Sequence, residues 1–490
     1  MAIVSRKDIK VRKSDTFVSS DFRIESSPEA FRILSDGLYS DKIRAVIREL
    51  STNAVDACVE AGTLDTGGYV IHLPNTLEPS FSIRDYGTGL THEEVIGLYT
   101  TYFGSNKTHS NKFTGQLGLG SKSPFAYTDS FTVTSWTDGS KRCYNAHISE
   151  SGYPAIALLS ESDTGEPNGM QIEFSVRSED YSRFEDKAES VYKYFSVLPT
   201  ITGASIEIEE PEPCIAGKGW YIESGRYGEA MAIMGNIAYP LGVEDESLTP
   251  EEQNLIQTGV IINFNIGDLD ITPSRESLSF TKRTIKLVKD RLAAIATEIV
   301  EEIQKKFDDC LNLWEARCLA GELFGHHSSP LRYLKDVVDS SDILFDGQVI
   351  QISSDLSLLD QKGVNSWRFA KEGLYGRSVA SVRKEECNNL PCKQDVKIFV
   401  DDLSGVGAYA RCSEWAESNG KNCYLVRFIR DGVKNAEEPK NEFIEFTGMQ
   451  ESDLCSVAAL PKPVRLTGSR QAGSGIRTDK IFRFANSDQK

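Results

Sequence analysis

Glu49, Asn53 and Asp56 recur at spacings of four and three residues within DKIRAVIRELSTNAVDA, residues 41–57. On a helix those spacings share one flank. Ile43, Ile47, Leu50, Ala54 and Ala57 line a separate apolar face, about 110–120° round at ~100° per residue. A carboxylate, an amide and a second carboxylate on a half-buried flank cost desolvation energy unless they hold something. The chemistry they suggest is therefore the binding of a polar ligand. By themselves the three residues read more readily as a solvated stripe, and three motifs further along reverse that reading.

The first is DYGTG, with Asp85 at a strand end and Gly87 and Gly89 allowing the backbone to approach a ligand. The second is GQLGLGSKS, where Gly115, Gly118 and Gly120 precede a helix start, so that successive backbone amides can cradle phosphates. The third is NGMQIE, residues 168–173, a glycine entering a core strand. Singly each is unspecific. The spacing from Gly115 to Gly120 suits a P-loop, but Ser121 intrudes before Lys122 and no strand leads into the segment, which excludes one.

The elements that must position these groups follow from patterning. Ser27 caps a helix over SSPEAFRILSDGLY, and the helix of residues 41–57 is stopped by Gly62. Strands are predicted at 68–73, 81–85, 130–136, 143–149, 153–160 and 170–176, with short and long helices at 92–98 and 181–198. Helices followed by a run of strands point to an α+β sandwich with one face of a mixed sheet covered. Further strands are predicted at 204–210, 229–241 and 259–271, then a long amphipathic helix or helix pair over 281–323. VKIFVDDL, GAYARCSEWAESNG and CYLVRFI read as one βαβ unit over 396–429.

At 490 residues the chain has room for two to four domains. A hydrophobic content of 40% with 26% charged residues describes an ordinary globular protein. The net charge of −18 argues against broad nucleic-acid binding, which needs basic surface. Ten cysteines form no CxxC pair, and Cys387 and Cys392 have no histidine nearby to complete a zinc site, so scattered thiols in a reducing cytosol are expected. MAIVSRKDIKVRK has no apolar core and is not a signal peptide. No apolar run approaches the ~20 residues of a membrane span.

In this order, the four motifs resemble the Bergerat (GHKL) ATP-binding fold shared by gyrase B subunits, MutL, the ninety-kilodalton heat-shock chaperones and histidine kinases. The resemblance implies ATP and Mg2+ as cofactors. Asp85 would accept the adenine amino group, with Gly87 and Gly89 shaping the pocket floor. Asn53 would ligate magnesium. Glu49 would deprotonate the attacking water, and Asp56 would support the pocket. Lys107 and the run Gly115, Gln116, Leu117, Gly118, Leu119 and Gly120 would form a lid over the phosphates. Met170 stands where the family commonly has Thr, which leaves open how that hydrogen bond to the adenine side is made. DLDITPSRESLSF, residues 268–280, resembles a second-domain loop of the chaperone branch, whose arginine reaches the γ-phosphate, and Arg275 takes that place.

SPEAFRILSDGLYSDKIRAVIRELSTNAVDA, YFGSNK, GQLGLGSKSPFAYTDSF and LDITPSRESLS further resemble the rapid-lysis-inhibitor A (rIIA) family of T-even and related bacteriophages. The implied architecture is α+β: an arm (1–26), a GHKL ATP-binding α/β sandwich (27–203), a transducer-like (S5-like) α/β domain with long C-terminal helices (204–325), a smaller C-terminal α/β domain (330–460) and a basic tail (461–490). The family implies an ATP-dependent homodimer, an rIIB-like partner, and a place in the host cytoplasm, with peripheral contact at the inner membrane. The leading expectation is a slow ATPase switch in lysis inhibition or host-defence interplay. The alternatives are a DNA-associated ATPase of the gyrase B or MutL type and a chaperone-like nucleotide-regulated scaffold with little hydrolysis.

Overall fold

The computed structural model describes residues 27–35, 37–102, 120–223, 229–242, 248–325, 329–334, 338, 343–351, 353–371 and 382–462. Lys107 and residues 115–119 lie outside them. The chain divides into two compact units between Ser354 and Asp355, so the first unit runs past the 325–330 boundary that composition suggests.

The first unit begins with α1 (Pro28–Ser35), where the Ser27 hydroxyl accepts the Ala30 N–H. Then comes α2 (Lys42–Ala61), capped by Asp41, which accepts the Arg44 N–H. Gly62 ends it at φ 69°, a conformation that costs glycine nothing. The sequence predicts one buried face. The structure instead buries Ala45, Val46, Arg48, Glu49, Ser51, Thr52, Val55, Asp56 and Cys58 as well, because α2 has protein on nearly every side.

On one side lies a seven-stranded mixed sheet. Its strands are β1 (Tyr69–His72), β2 (Ser80–Asp85), β3 (Ser130–Thr137), β4 (Ser140–Ile148), β5 (Pro154–Asp163), β6 (Gly169–Ser175) and β7 (Thr200–Thr202), in the order β5-β4-β3-β6-β2-β1-β7. Alternate residues such as Tyr69, Ile71, Phe81, Ile83, Phe131, Val133, Ile172 and Phe174 point to one face. There they form a single core with Ile43, Ile47 and Leu50 of α2, Val95 of α3 (His92–Thr100) and Phe184 and Val191 of α4 (Tyr181–Tyr192). The hydroxyls of Ser51 and Tyr192 meet at 2.7 Å and tie α2 to α4.

The predicted strand at 204–210 does not form. β7 precedes it and pairs parallel with β1, while Ile206 and Ile208 pack on the core without joining a ladder. Alternating hydrophobicity here reports burial on one side and no more.

A second sheet follows, of β8 (Pro213–Gly217), β9 (Trp220–Glu223), β10 (Met231–Met234), β11 (Ile237–Pro240) and β12 (Ile261–Phe264), in the order β11-β10-β12-β9-β8. The run 229–241 is a hairpin, broken at Gly235, which sits at φ 63°. The first two strands and α5 (Pro250–Gln257, with a Thr249/Glu252 capping box) are additions that patterning did not show. α6 (Lys282–Asp308) and α7 (Leu313–Ala320) are the expected helix pair. α6 lays Val288, Leu292, Ile295, Ile299, Ile303 and Phe307 into the second core.

In the second unit, strand 397–400, helix 408–419 and strand 423–430 form the expected βαβ unit, with the two strands parallel. Strand 364–371 adds antiparallel to 423–430, and strand 454–456 adds parallel to 397–400. No helix among the described residues is long and apolar enough to cross a membrane.

Ile295 is fully buried on α6. Ile295→Ala is expected to cost about 2–5 kcal/mol through lost burial and the cavity left behind, read as a lower urea midpoint for the first unit's unfolding transition.

Candidate functional site

The polar flank of α2 is held by two arginines. Glu49 is 2% exposed. Its Oε1 accepts from Arg48 Nε at 3.2 Å and Nη2 at 2.9 Å, and its Oε2 accepts from Arg275 Nη1 at 2.8 Å. Burying a carboxylate this deeply is costly unless it is paired and hydrogen-bonded. Arg48 also donates from Nη2 to the Ser274 carbonyl at 2.9 Å, so one guanidinium grips both the helix and the loop carrying Arg275.

That loop is a tight turn. The Arg275 N–H donates to the Thr272 carbonyl and the Thr272 N–H to the Ser277 carbonyl. Arg275 sits at φ 56°, in the left-handed region that non-glycine residues seldom occupy, and is 5% exposed. Such strain persists only where surroundings over-determine it. Burial works against its charge, but Glu49 and then Tyr239 outweigh that, and its pKa moves up. Nε and Nη2 of Arg275 are buried and meet no acceptor at hydrogen-bond geometry, although Tyr239 lies close enough to favour the charge. The next residue, Glu276, accepts the Ser40 N–H at 3.0 Å and the Asp41 N–H at 3.1 Å, at the start of α2.

Asn53 lies one turn beyond Glu49 on the same flank. Gly120, the last glycine of the predicted phosphate cradle, presses on both. A Cβ there would stand 3.0 Å from Glu49 Oε2 and 3.2 Å from Asn53 Nδ2. Asp56 is buried a turn further on.

The second centre surrounds Asp85, buried at the end of β2. Its Oδ1 accepts the Gly87 N–H at 2.9 Å and the Met170 N–H at 3.2 Å. The Met170 contribution is a backbone one, so this bond does not depend on the Met170 side chain. Gly169, at φ 143°, brings β6 so near that a Cβ would lie 2.0 Å from the Asp85 carbonyl oxygen. Gly89, at φ 72°, stands in the same relation to the Trp136 carbonyl oxygen, and Gly87 packs on Ala57 of α2. Ala57 follows Glu49 by eight residues, about 12 Å along the helix axis. α2 therefore joins the two centres as a ruler.

Arg48, Glu276 and Lys122 escape a reading of the sequence. A lysine just before the apolar run PFAY, residues 124–127, was the available signal for the last of these. Lys122 is buried, and its Nζ donates to the Leu98 carbonyl at 2.5 Å. Burial pushes its pKa down to about 8.

No protein-family model matches the chain. Over 105 residues, 20% of this chain and 19% of the other, it is 32% identical to the B subunit of type 2 DNA topoisomerase 6 from Pyrococcus horikoshii. The likeness thus spans about a fifth of that relative's length.

An unfolded Lys122 titrates at its ordinary, higher pKa, so between pH 8 and 10 the unfolded chain binds more protons than the folded one. Stability then rises with pH through this group. The penalty of burying the charge is complete below pH 8 and relieved above it. Lys122→Met is expected to be more stable than the parent at pH 7 by up to roughly 3 kcal/mol, at 1.36 kcal/mol per pKa unit. That advantage should shrink towards pH 10 in parallel urea titrations.

Proposed function

We propose that this chain is a Bergerat-fold (GHKL) ATPase that hydrolyses magnesium ATP and uses the cycle as a conformational and dimerisation switch. The observation that carries the proposal is the backbone of Gly120 lying on Glu49 and Asn53, a cradle that a single Cβ would fill. The buried, unsatisfied Nε and Nη2 of Arg275 beside it are donors suited to phosphate oxygens. The α2 ruler sets this end apart from the Asp85 pocket by about the span of an extended nucleoside triphosphate.

In this reading Asp85 accepts the adenine amino group, in a pocket floored by Gly87 and Gly89, with its carboxylate oriented by the amides of Gly87 and Met170. Asn53 would hold magnesium through its side-chain oxygen, and the ion would supply neutralisation of phosphate charge. Glu49 takes the proton of the attacking water as the new oxygen–phosphorus bond forms and the bond to the β-phosphate oxygen breaks. Arg275 stabilises the charge on the transferring group. The resemblance assigns Lys107 and residues 115–119, which lie outside the described residues, to the phosphates, and Asp56 backs the pocket.

A second reading is a DNA-associated ATPase, and the partial likeness to a topoisomerase component favours it. The net charge of −18 opposes it, while Lys462, Arg465, Arg470, Arg477, Lys480, Arg483 and Lys490 near the C-terminus offer local basic charge. A part in phage lysis control, with an rIIB-like partner at the host inner membrane, rests on sequence resemblance alone and is the narrowest form of the proposal.

Purified protein is expected to release phosphate from magnesium ATP. Glu49→Gln should retain ATP binding and lose hydrolysis, and Asp85→Asn should lose binding. Hydrolysis persisting in Glu49→Gln would remove Glu49 as the base, and absence of nucleotide binding in the parent protein would end the proposal. Mass measured with a non-hydrolysable analogue reports dimerisation. Stimulation of turnover by DNA, with binding that weakens steeply as salt rises, would select the second reading.

A further inference from the structure

We infer that Glu276 is a positioning residue that seats the 272–277 loop on α2 before any nucleotide arrives, so that Arg275 changes partner by rotating its side chain. The inference rests on the ATPase reading and deepens it. A slow ATPase whose site is completed by domain movement would bring this arginine in from afar. Here it is already in place, with Nη1 on Glu49 at 2.8 Å.

Two tethers hold the loop independently of the Arg275 side chain. Glu276 takes the Ser40 and Asp41 amides with its carboxylate. Arg48 takes the Ser274 carbonyl. The amides at the start of a 20-residue helix lack intrahelical partners and carry the positive end of its dipole, so a carboxylate is the side chain best suited to them. Adjacent residues of opposite charge thus bind at two points, at the N-cap of α2 and about two turns into the helix. If the Arg275–Glu49 pair parts, the tethers remain. The guanidinium can then turn its unsatisfied nitrogens to a phosphate while the left-handed backbone at Arg275 stays where it is. The same rotation frees the Oε2 of Glu49 for water.

The test compares the full-length protein with Glu276→Ala and Glu276→Gln, the latter keeping an acceptor oxygen. In the absence of nucleotide, hydrogen exchange of the Ser40 and Asp41 amides should accelerate in Glu276→Ala. ATP affinity should be unchanged, while phosphate release at saturating magnesium ATP falls by about tenfold or more, as expected when a catalytic group loses its positioning. Glu276→Gln should recover part of both effects. Unchanged exchange and unchanged turnover in Glu276→Ala would overturn the inference and leave the ATPase reading intact. A parent protein that neither binds nor hydrolyses ATP would defeat the ATPase reading, with exchange still reporting whether Glu276 holds the loop. A folding defect in Glu276→Ala would show as a shifted urea midpoint, and the comparison then passes to Glu276→Met, which keeps the side-chain length without an acceptor oxygen; turnover equal to the parent's together with parental exchange in that variant overturns the inference.

Discussion

A carboxylate held between two buried guanidiniums governs the first unit. Glu49, Arg48 and Arg275 are nearly inaccessible to solvent, and taking such charges out of water costs several kcal/mol per ion unless geometry returns it. The return comes from Arg48 and Arg275 reaching separate carboxylate oxygens, with Arg48 also spanning to the Ser274 carbonyl. A net surplus of positive charge remains in the cluster. Neighbouring Tyr39 and Tyr239, whose hydroxyl pKa values burial raises, stay neutral and contribute only dipoles. An anionic ligand is the natural complement to that surplus.

The burial of α2 follows from this cluster. One side of the helix packs on the seven-stranded sheet, and the loop from the second half of the unit covers the polar flank. The two halves are joined here through charged side chains, and elsewhere through Tyr194, which packs on Met231, Ile233, Ala238 and Ile261, and through Lys193, which pairs with Glu223. A sheet-to-sheet contact made of aliphatic groups would have no sensitivity to a ligand's charge, since dispersion and hydrophobic burial do not discriminate by charge.

Around Asp85 the constraint is steric. Gly89 and Gly169 stand where a Cβ would lie 2.0 Å from a carbonyl oxygen, and Gly87 where it would meet Ala57. These glycines are needed for backbone-to-backbone approach as much as for any ligand. That closeness brings the Met170 amide onto the carboxylate, which makes the identity of the Met170 side chain secondary for this bond.

Much of this was legible from residue types and spacings. The 20-residue helix with its Gly62 stop, six of the seven strands of the first sheet, the helix pair that follows Thr281 and the βαβ unit at 396–429 all follow from periodicity and from capping chemistry, which act over a few residues. The flank of Glu49, Asn53 and Asp56 was visible for the same reason, and the grouping of Asp85 with its glycines was visible as a motif. Patterning misplaced the strand at 204–210, because alternation registers one-sided burial and a ladder needs a partner. It could not show that α2 would be enclosed, that Arg48 would face both Glu49 and Ser274, or that Glu276 would settle on amides 235 residues away. Those contacts join residues far apart in the chain, and only the folded arrangement of the two sheets brings them within hydrogen-bonding distance.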